Sequence, residues 1–462
     1  MTFKKTVSLS LVSVLLASCS LVPNYTKPSV TPPQRWVAET KDAEGHEIPA
    51  AWWTVFGDDT LNALIADAGA QNLDLKIGVE RVNQSRAALR IAGASLLPSA
   101  NATASAARNS TNPVHGDTTT ANATSAGLSI AYDLDLFGAN HSENEAARAT
   151  LKSAEYTHKA LELATYSDVT EAYFNLLLTK KRIEIAQQNL KTSQELLRIV
   201  EARVKAGVDS NLELSQQKVA VSNTEASLAV LSQTESTYRN ALAILLGKLP
   251  EDFAKTTTIT AEGLQKLIVP TIATGQPSTL LERRPDIASV EQSLIAANAN
   301  IGVARAAYFP SVTLGLTATA TGTGLTNPYG TALGIASSLT APIFEGGRLE
   351  GGVEKATSQQ RELVATYQKS VLNAFGEVEN ALAAVTSASA REESLKTAVE
   401  EAQKAYDISR KRYDVGTIDF ATLLDTQASL LAAQDNYAQA MKARLSASLD
   451  LVKALGGGWK KA

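Results

Sequence analysis

Residues 140–206 contain neither proline nor glycine, and this uninterrupted stretch constrains the fold more than any other feature of the sequence. A strict seven-residue apolar repeat predicts α-helices that pack as a coiled coil. The repeat here consists of Val169, Leu176, Ile183, Leu190, Leu197 and Val204. At 1.5 Å per residue, such a helix extends roughly 100 Å, which is longer than an ordinary globular domain.

A second stretch, after Gly352, repeats this pattern about 209 residues later, with Glu392 as its one break. Its repeat consists of Val378, Val385, Glu392, Val399, Tyr406 and Tyr413. Small residues at intermediate positions, such as Ala186 and Ala402, let helices approach closely and favour a curved wall of helices. Taken alone, the helices favour a purely structural coiled coil.

Both stretches end at a glycine, Gly207 or Gly416, that can adopt the left-handed conformation of a helix C-cap. An aspartate follows each glycine, at Asp209 and Asp419. A second heptad-patterned helix is then predicted over 212–246 and again over 420–455. Each half of the chain is therefore predicted to form an antiparallel helical hairpin with a tight tip.

The two halves of the chain share short motifs in the same order, which indicates an internal duplication. The recurring pairs are 203–209 with 412–419, 97–99 with 309–311, 135–138 with 342–346, and 111–113 with 326–328. Their offsets are 209, 212, 207 and 215 residues. Offsets that are similar but unequal are typical of an old duplication followed by changes in the loops.

Between the helices the apolar period changes from seven to two, in segments 99–108, 128–136, 312–321 and 333–343. Segments of about ten residues with one apolar and one small polar face are typical of membrane β-barrels. An ordinary half-buried antiparallel sheet is the alternative. Since the smallest membrane barrels have about eight strands, four strands must oligomerise to close one, and three copies give twelve.

The N-terminus has the features of a lipoprotein signal peptide over 1–18. Lys4 and Lys5 precede a short apolar run that is too short for a membrane span, which takes about 20 residues. A lipobox pattern then ends at Cys19, the only cysteine in the chain. We therefore expect Cys19 to carry the lipid, with palmitate among its acyl groups. Ser20, where an aspartate would favour inner-membrane retention, favours the outer membrane.

The sequence gives little support for an enzyme, a metal site or nucleic-acid binding. The four histidines are scattered without metal-ligand spacing, and no GxSxG or P-loop motif occurs. We therefore expect no catalytic residues, no cofactor and no metal site. A net charge of -4 without a basic patch predicts no nucleic-acid binding. No apolar run of about 20 residues follows Cys19, so no transmembrane helix is predicted.

The sequence resembles the TolC-like outer-membrane factor family, in its NodT-type lipoprotein branch. The similar segments are 52–58, 281–287, 296–311 and 342–348, together with the two glycine tips. Their most specific parts are the Arg-Arg-Pro-Asp-Ile run from Arg283 and the Asn-Ile-Gly-Val-Ala-Arg run from Asn300. The match extends from Cys19 nearly to the end of the chain.

The resemblance implies a mainly helical homotrimer that is anchored in outer-membrane lipid and extends into the periplasm. Four strands per chain would form a 12-stranded β-barrel, and the hairpins an α-barrel with an equatorial belt. The hairpin tips would meet a periplasmic adaptor (membrane fusion) protein of an inner-membrane RND-type or ABC-type pump. The function implied is passive conduction of small molecules out of the cell. The sequence names neither the cargo nor the pump.

The resemblance also suggests roles for residues at the hairpin tips. The predicted adaptor contacts are Gly207, Val208, Gly416, Thr417 and Ile418. The candidates for the periplasmic gate are Asp209, Asp419, Arg203, Arg410 and Arg412. Carboxylates repeated by threefold symmetry repel each other at a narrow mouth, so an Asp419→Ala substitution is expected to raise conductance. The alternative for each aspartate is a turn residue that caps the next helix.

A structural role is preferred for Arg283, Arg284 and Asp286, because Pro285 can open a helix that these charges cap or connect to neighbouring chains. The predicted domain boundaries follow from all these patterns. They are signal peptide 1–18, N-terminal anchor and equatorial segment 19–96, first β-hairpin 97–137, first helical hairpin 138–248, equatorial connector 249–308, second β-hairpin 309–346, second helical hairpin 347–455 and tail 456–462.

Overall fold

The computed structural model describes residues 21–37, 47–256, 259–273, 275–324 and 327–460. Cys19 and the signal peptide lie outside these ranges. The chain divides into two compact units. The first unit comprises 1–29, 80–156 and 287–370, and the second comprises 30–79, 157–286 and 371–462. Each unit is described by itself below.

Helices and strands recur in the same order in the two halves of the chain. The first half contains α1 (Asp59–Gln71), α2 (Leu73–Ala94), β1 (Ser99–Thr111), β2 (Thr119–Asp133), α3 (Ala139–Lys205) and α4 (Asn211–Leu245). The connector contains α5 (Pro250–Thr256), α6 (Gly263–Lys266) and α7 (Leu280–Arg283). The second half contains α8 (Pro285–Ala306), β3 (Ser311–Gly324), β4 (Asn327–Thr340), α9 (Arg348–Asp414) and α10 (Phe420–Ala454).

The duplication predicted from the sequence is visible in the helix lengths. Both α3 and α9 have 67 residues, and both α4 and α10 have 35. The prediction of two long helical hairpins and four strands per chain is confirmed. No helix within the described ranges is both long enough and apolar enough to cross a membrane.

Helix α9 begins at Arg348, and the predicted heptad stretch after Gly352 lies within it. Gly346 and Gly347 have φ values of 54° and 86° and form the turn before the helix. Arg348 Nε then donates to a carboxylate oxygen of Glu345 over 2.8 Å, which fixes the first turn. Gly351 and Gly352 are therefore accommodated inside a helix that has already started.

Strand β2 ends before the predicted limit, because the chain turns at Asp135. Asp135 is the one non-glycine with positive φ among the described residues, at 45°. Its carboxylate accepts from the backbone N–H groups of Asn140 and His141, at 3.0 and 2.8 Å. This caps α3 and turns the chain out of the strand. Strand β4 likewise ends at Thr340, before Ala341 and Ile343.

The four strands of the first unit form one antiparallel sheet in the order β1-β2-β3-β4. The register aligns the apolar positions, since Ile130 lies opposite Leu316, and Leu316 lies opposite Ile335. Leu333, Ile335 and Leu339 are 76%, 86% and 68% exposed. One face of the sheet therefore presents a band of exposed aliphatic side chains, as the two-residue period predicted.

The second unit has a large apolar core where the connector and the N-terminal segments pack on the helices. Trp52 and Phe56, from the short helix Trp52–Phe56, are buried there with Tyr173 and Phe174 of α3. Phe56 and Phe174 meet edge to face with ring centroids 5.3 Å apart, a favourable aromatic geometry. Leu449 of α10 joins the same core, so segments distant in sequence hold this part of the helices together.

Candidate gate at the hairpin tips

The two hairpin tips have the same backbone geometry. Gly207 and Gly416 have φ values of 73° and 74°. The N–H groups of Gly207 and Val208 donate to the carbonyls of Val204 and Arg203. Gly416 and Thr417 repeat this pattern in the second half. Both turns are thus Schellman C-caps, which need a left-handed residue at the glycine position, and the prediction of glycine caps is confirmed.

Asp209 lies at the centre of a polar cluster that joins the two tips. Its carboxylate accepts from Arg203 Nε over 2.9 Å and from the Tyr413 hydroxyl over 2.8 Å. The Arg203 guanidinium also lies 4.9 Å from the centroid of the Tyr413 ring. The Asp209 side chain is only 9% exposed. Because Tyr413 belongs to α9 and Asp209 follows α3, this cluster connects the first hairpin to the second.

The tip cluster lies against an apolar layer that shields it from solvent. Tyr413 is 3% exposed, and its ring contacts Phe420 with centroids 5.6 Å apart. Leu423 and Val200 belong to the same layer. Burial and the hydrogen bond to Asp209 raise the pKa of Tyr413 well above its ordinary value. The hydroxyl therefore remains a hydrogen-bond donor to Asp209 throughout the physiological pH range.

Asp419, the other gate candidate, occupies a different environment. Its carboxylate accepts from the Thr422 backbone N–H over 2.8 Å and forms the N-cap of α10. The hydrogen bonds from Thr422 lower the pKa of this exposed carboxyl. In the first half the corresponding cap is Ser210, whose side chain accepts from the Leu212 N–H. The cap that the sequence offered as an alternative is therefore present at Asp419.

The remaining predicted tip residues differ in how much of each side chain is exposed to solvent. Arg412 and Thr417 are exposed, and Val208 is 64% exposed. Ile418 is half-buried against the apolar layer of the tip. The exposed Arg410 lies beside Tyr406. Of the three arginines, Arg203 alone pairs with a gate carboxylate in the described part of the chain.

A layer of polar side chains, which the sequence analysis missed, lies deeper in the hairpins. Ser193, Gln217 and Gln427 are 1%, 0% and 7% exposed. A pattern of apolar heptad positions does not include these residues, because glutamine and serine are mostly found at the surface. The seven-residue spacing of Ser193 from the buried Ala186 and Val200 was the signal that could have identified it.

Arg284, assigned a structural role from the sequence, connects three segments of the second unit. Its side chain, 11% exposed, donates to both carboxylate oxygens of Asp286 and over 2.6 Å to Glu377. It also donates over 3.1 Å to the Ala454 carbonyl at the end of α10. Burial opposes the charge of Arg284, but these hydrogen bonds and the two carboxylates outweigh it and raise its pKa.

Within the described ranges, no group of three histidine, cysteine or acidic side chains could hold a metal ion.

Comparison with known proteins identifies the family. The sequence model of the family described as "Outer membrane efflux protein" matches residues 64–248 and 276–457. The chain is 35% identical to the pyoverdine export outer membrane protein OpmQ of Pseudomonas aeruginosa, over 98% of this chain and 97% of OpmQ. It is 30% identical to the cation efflux system protein CusC of Escherichia coli K12, over 97% and 98% of the two chains.

The fold agrees with that assignment. The crystal structure of the Campylobacter jejuni CmeC outer membrane channel matches with a TM-score of 0.89 at 26% identity, over 96% of each chain. The family model covers both helical hairpins and the whole sheet, and the relatives match over nearly their whole length. The chain therefore belongs to the family of outer membrane efflux proteins.

Proposed function

We propose that three copies of this chain form the outer-membrane exit duct of a tripartite efflux pump. The observation that carries the proposal is the sheet, which presents an exposed aliphatic band and whose edge strands, β1 and β4, each pair with only one strand among the described residues. Unpaired backbone groups at a sheet edge are not tolerated in lipid. Neighbouring copies would pair these edges and close the sheet into a twelve-stranded barrel.

In this proposal the helical hairpins conduct cargo and the protein contributes no chemistry of its own. The energy comes from an inner-membrane pump of the RND or ABC type, through a periplasmic adaptor that contacts the tips. The exposed tip residues Val208 and Thr417 suit such a contact, whereas Ile418 offers only part of its surface. The related proteins are named for pyoverdine and for cations, so the cargo is proposed only as a small molecule.

The tip cluster supports a closed resting state. Asp209 belongs to the first hairpin, where Arg203 pairs with it, and it holds the second hairpin through Tyr413. The tips therefore cannot separate without losing the charge-assisted hydrogen bond between Tyr413 and Asp209. Opening would follow when docking of the adaptor offsets that loss. Asp419 remains a candidate for electrostatic gating, because its exposed carboxylate would be repeated three times around the mouth.

The experiment that tests this proposal is measurement of mass and single-channel conductance for the detergent-purified protein. We expect a trimer with small, cation-preferring currents, because carboxylates repeated three times at a narrow mouth would attract cations. A monomer without currents would show that the strands do not close a barrel. A periplasmic coiled-coil spacer would then account better for the heptads and for Cys19.

Lipid attachment at Cys19 is part of the proposal and is supported by how the following segment is held. The Leu21 and Pro23 carbonyls accept from Arg305 and Asn298 of α8, at 3.3 and 2.7 Å. Lys27 then pairs with Glu291 over 3.1 Å. The segment thus runs antiparallel to α8, with its earlier residues beside the end of α8 that leads into β3.

We expect a Cys19→Ala substitution to abolish incorporation of radiolabelled palmitate, since Cys19 is the sole cysteine in the chain. The protein should remain in the outer-membrane fraction, because the barrel strands and not the lipid supply most of the apolar contact with the membrane. A Ser20→Ala substitution, one residue further on, serves as the matched control and should keep the label. Undiminished labelling of Cys19→Ala would contradict the assignment of Cys19.

A further inference from the structure

The contact between α3 and α10 joins the two hairpins behind the tip cluster, and it is called the seam here. Five of its polar contacts follow one antiparallel register. Gln427 meets Ser193 and Asn189, Asp435 pairs with Arg182, and Lys442 and Ser446 bind Glu171. If the second hairpin parts from the first beginning at the tip, it breaks these contacts in order from the tip.

The first of these contacts belongs to the buried polar layer, formed by Asn189, Ser193, Gln217, Thr224 and Gln427. Gln427 Nε2 donates to Ser193 Oγ over 2.8 Å and to Asn189 Oδ1 over 3.0 Å. Gln217 Nε2 donates to the Ser193 carbonyl over 2.7 Å. Both returning helices, α4 and α10, therefore converge on one residue of α3.

The polar layer is incompletely satisfied. The side-chain carbonyl oxygens of Gln217 and Gln427 are buried and have no hydrogen-bond partner among the described residues. A buried acceptor without a partner has lost its hydrogen bonds to water and has gained none within the protein, which raises the free energy of the closed state. The layer is thus the one place in the seam where entry of water would improve hydrogen bonding, whereas water beside Leu423 or Leu430 would expose apolar surface.

We propose that Gln427 is a gating residue, which lets the seam part at the polar layer once the tip cluster has opened. The inference rests on the proposed function as a gated duct. Water that follows the parting hairpins satisfies both glutamine oxygens, together with Ser193 and Asn189. The polar layer lowers the free-energy cost of opening at its own level, whereas the apolar tip layer, which has members in both hairpins, adds to that cost.

The test uses single-channel recordings of the purified trimer in planar bilayers, in the Asp209→Ala background, where the tip cluster is already broken. Adding Gln427→Leu makes the layer more apolar and removes one unpaired oxygen. The open fraction should fall about tenfold, since opening would then expose a leucine side chain to water in place of an amide. Ser193 can then donate to the carbonyl four residues earlier, as Ser232 does in α4.

A second variant has the opposite expected effect. Gln427→Glu places a carboxyl in the layer, and its ionised form needs water far more than an amide does. The open fraction should rise above that of Asp209→Ala alone, and it should rise further with pH as the introduced carboxyl ionises. Gln233→Leu, on an exposed position of α4, makes the same chemical change outside the layer and should leave the open fraction unchanged.

The outcomes separate the inference from the proposed function. If Asp209→Ala trimers form no channels at all, the gated duct itself is wrong. If they do form channels but both Gln427 variants behave like Gln233→Leu, the inference is overturned. It is also overturned if Gln427→Leu raises the open fraction, because the hydrogen bonds of Gln427 would then hold the seam closed. The mass of the purified trimer is measured for each variant. Because the two Gln427 variants have opposite expected effects on the open fraction, the inference can still be tested if one of them fails to assemble.

Discussion

Replacing Asp209 with alanine is expected to give the largest increase in conductance of any single substitution at the tips. The substitution removes the one acceptor shared by Arg203 and Tyr413, and so breaks the hydrogen bond that joins the two hairpins at their tips. Hydrogen bonds to charged groups contribute about 1.5–3 kcal/mol each. Since each 1.4 kcal/mol is about tenfold, the ratio of open to closed channels should rise at least tenfold in planar-bilayer recordings.

Asp414→Ala is the matched control for this prediction. It also removes one negative charge near the tip, but Asp414 is exposed and forms no ion pair among the described residues. An equal rise in conductance for Asp414→Ala would mean that overall charge, and not the Asp209 cluster, holds the tips closed. Tyr413→Phe removes only the hydroxyl and should give part of the Asp209→Ala effect. Combining Tyr413→Phe with Asp209→Ala should raise conductance little beyond Asp209→Ala alone, because both substitutions remove the same hydrogen bond.

The same recordings distinguish the two roles of Asp419. A rise in conductance for Asp419→Ala, as expected from the sequence, would place this carboxylate at the gate. Unchanged conductance with a loss of about 1 kcal/mol in stability, the usual cost of a lost N-cap, would leave Asp419 as a helix cap alone.

Most of the fold could be predicted from the sequence because two periodicities determine it. The period of seven over residues 169–204 predicted the coiled-coil face of α3, and the period of two predicted which face of each strand is apolar. Gly207 and Gly416 located the tips, since the left-handed turn there strongly favours glycine. The predictions failed where local geometry ends an element, as at Asp135, whose capping role depends on a positive φ that the sequence pattern does not reveal.

The contacts of the tip cluster were harder to predict than its location. The sequence placed Arg203, Asp209 and Asp419 together by analogy between the halves, but the two aspartates are not equivalent. Asp209 accepts from a tyrosine of the other hairpin, and Tyr413 had been assigned only to the heptad. Such a contact depends on how two hairpins, about 200 residues apart in sequence, pack side by side. A heptad pattern specifies the buried face of one helix and not its partner.

Arg284 carries the second large prediction, which concerns stability. Its guanidinium connects the first turn of α8, through Asp286, to Glu377 of α9 and to the last turn of α10. An Arg284→Met substitution keeps most of the side-chain volume but removes all of these hydrogen bonds. Breaking a buried ion pair by removing one partner costs about 3–5 kcal/mol.

We expect a smaller loss for Arg284→Met, about 2–3 kcal/mol, because its carboxylate partners remain hydrated. The Asp286 and Glu377 side chains are 47% and 54% exposed. They line a cavity of about 520 Å³, which water can enter. The loss should appear as a lower midpoint in thermal unfolding of the purified protein, followed by circular dichroism at a helical wavelength.

Arg283→Met provides the control, because Arg283 is the adjacent arginine and is only half-buried. Substitutions away from buried networks usually change stability by less than about 0.5 kcal/mol, so its midpoint should stay near that of the parent. Arg284→Lys should fall between the two, since an ammonium keeps the charge but cannot match the paired oxygens of Asp286. Equal midpoints for Arg284→Met and Arg283→Met would show that water in the cavity replaces the guanidinium at little cost, and that the apolar core of the second unit holds these helix ends without it.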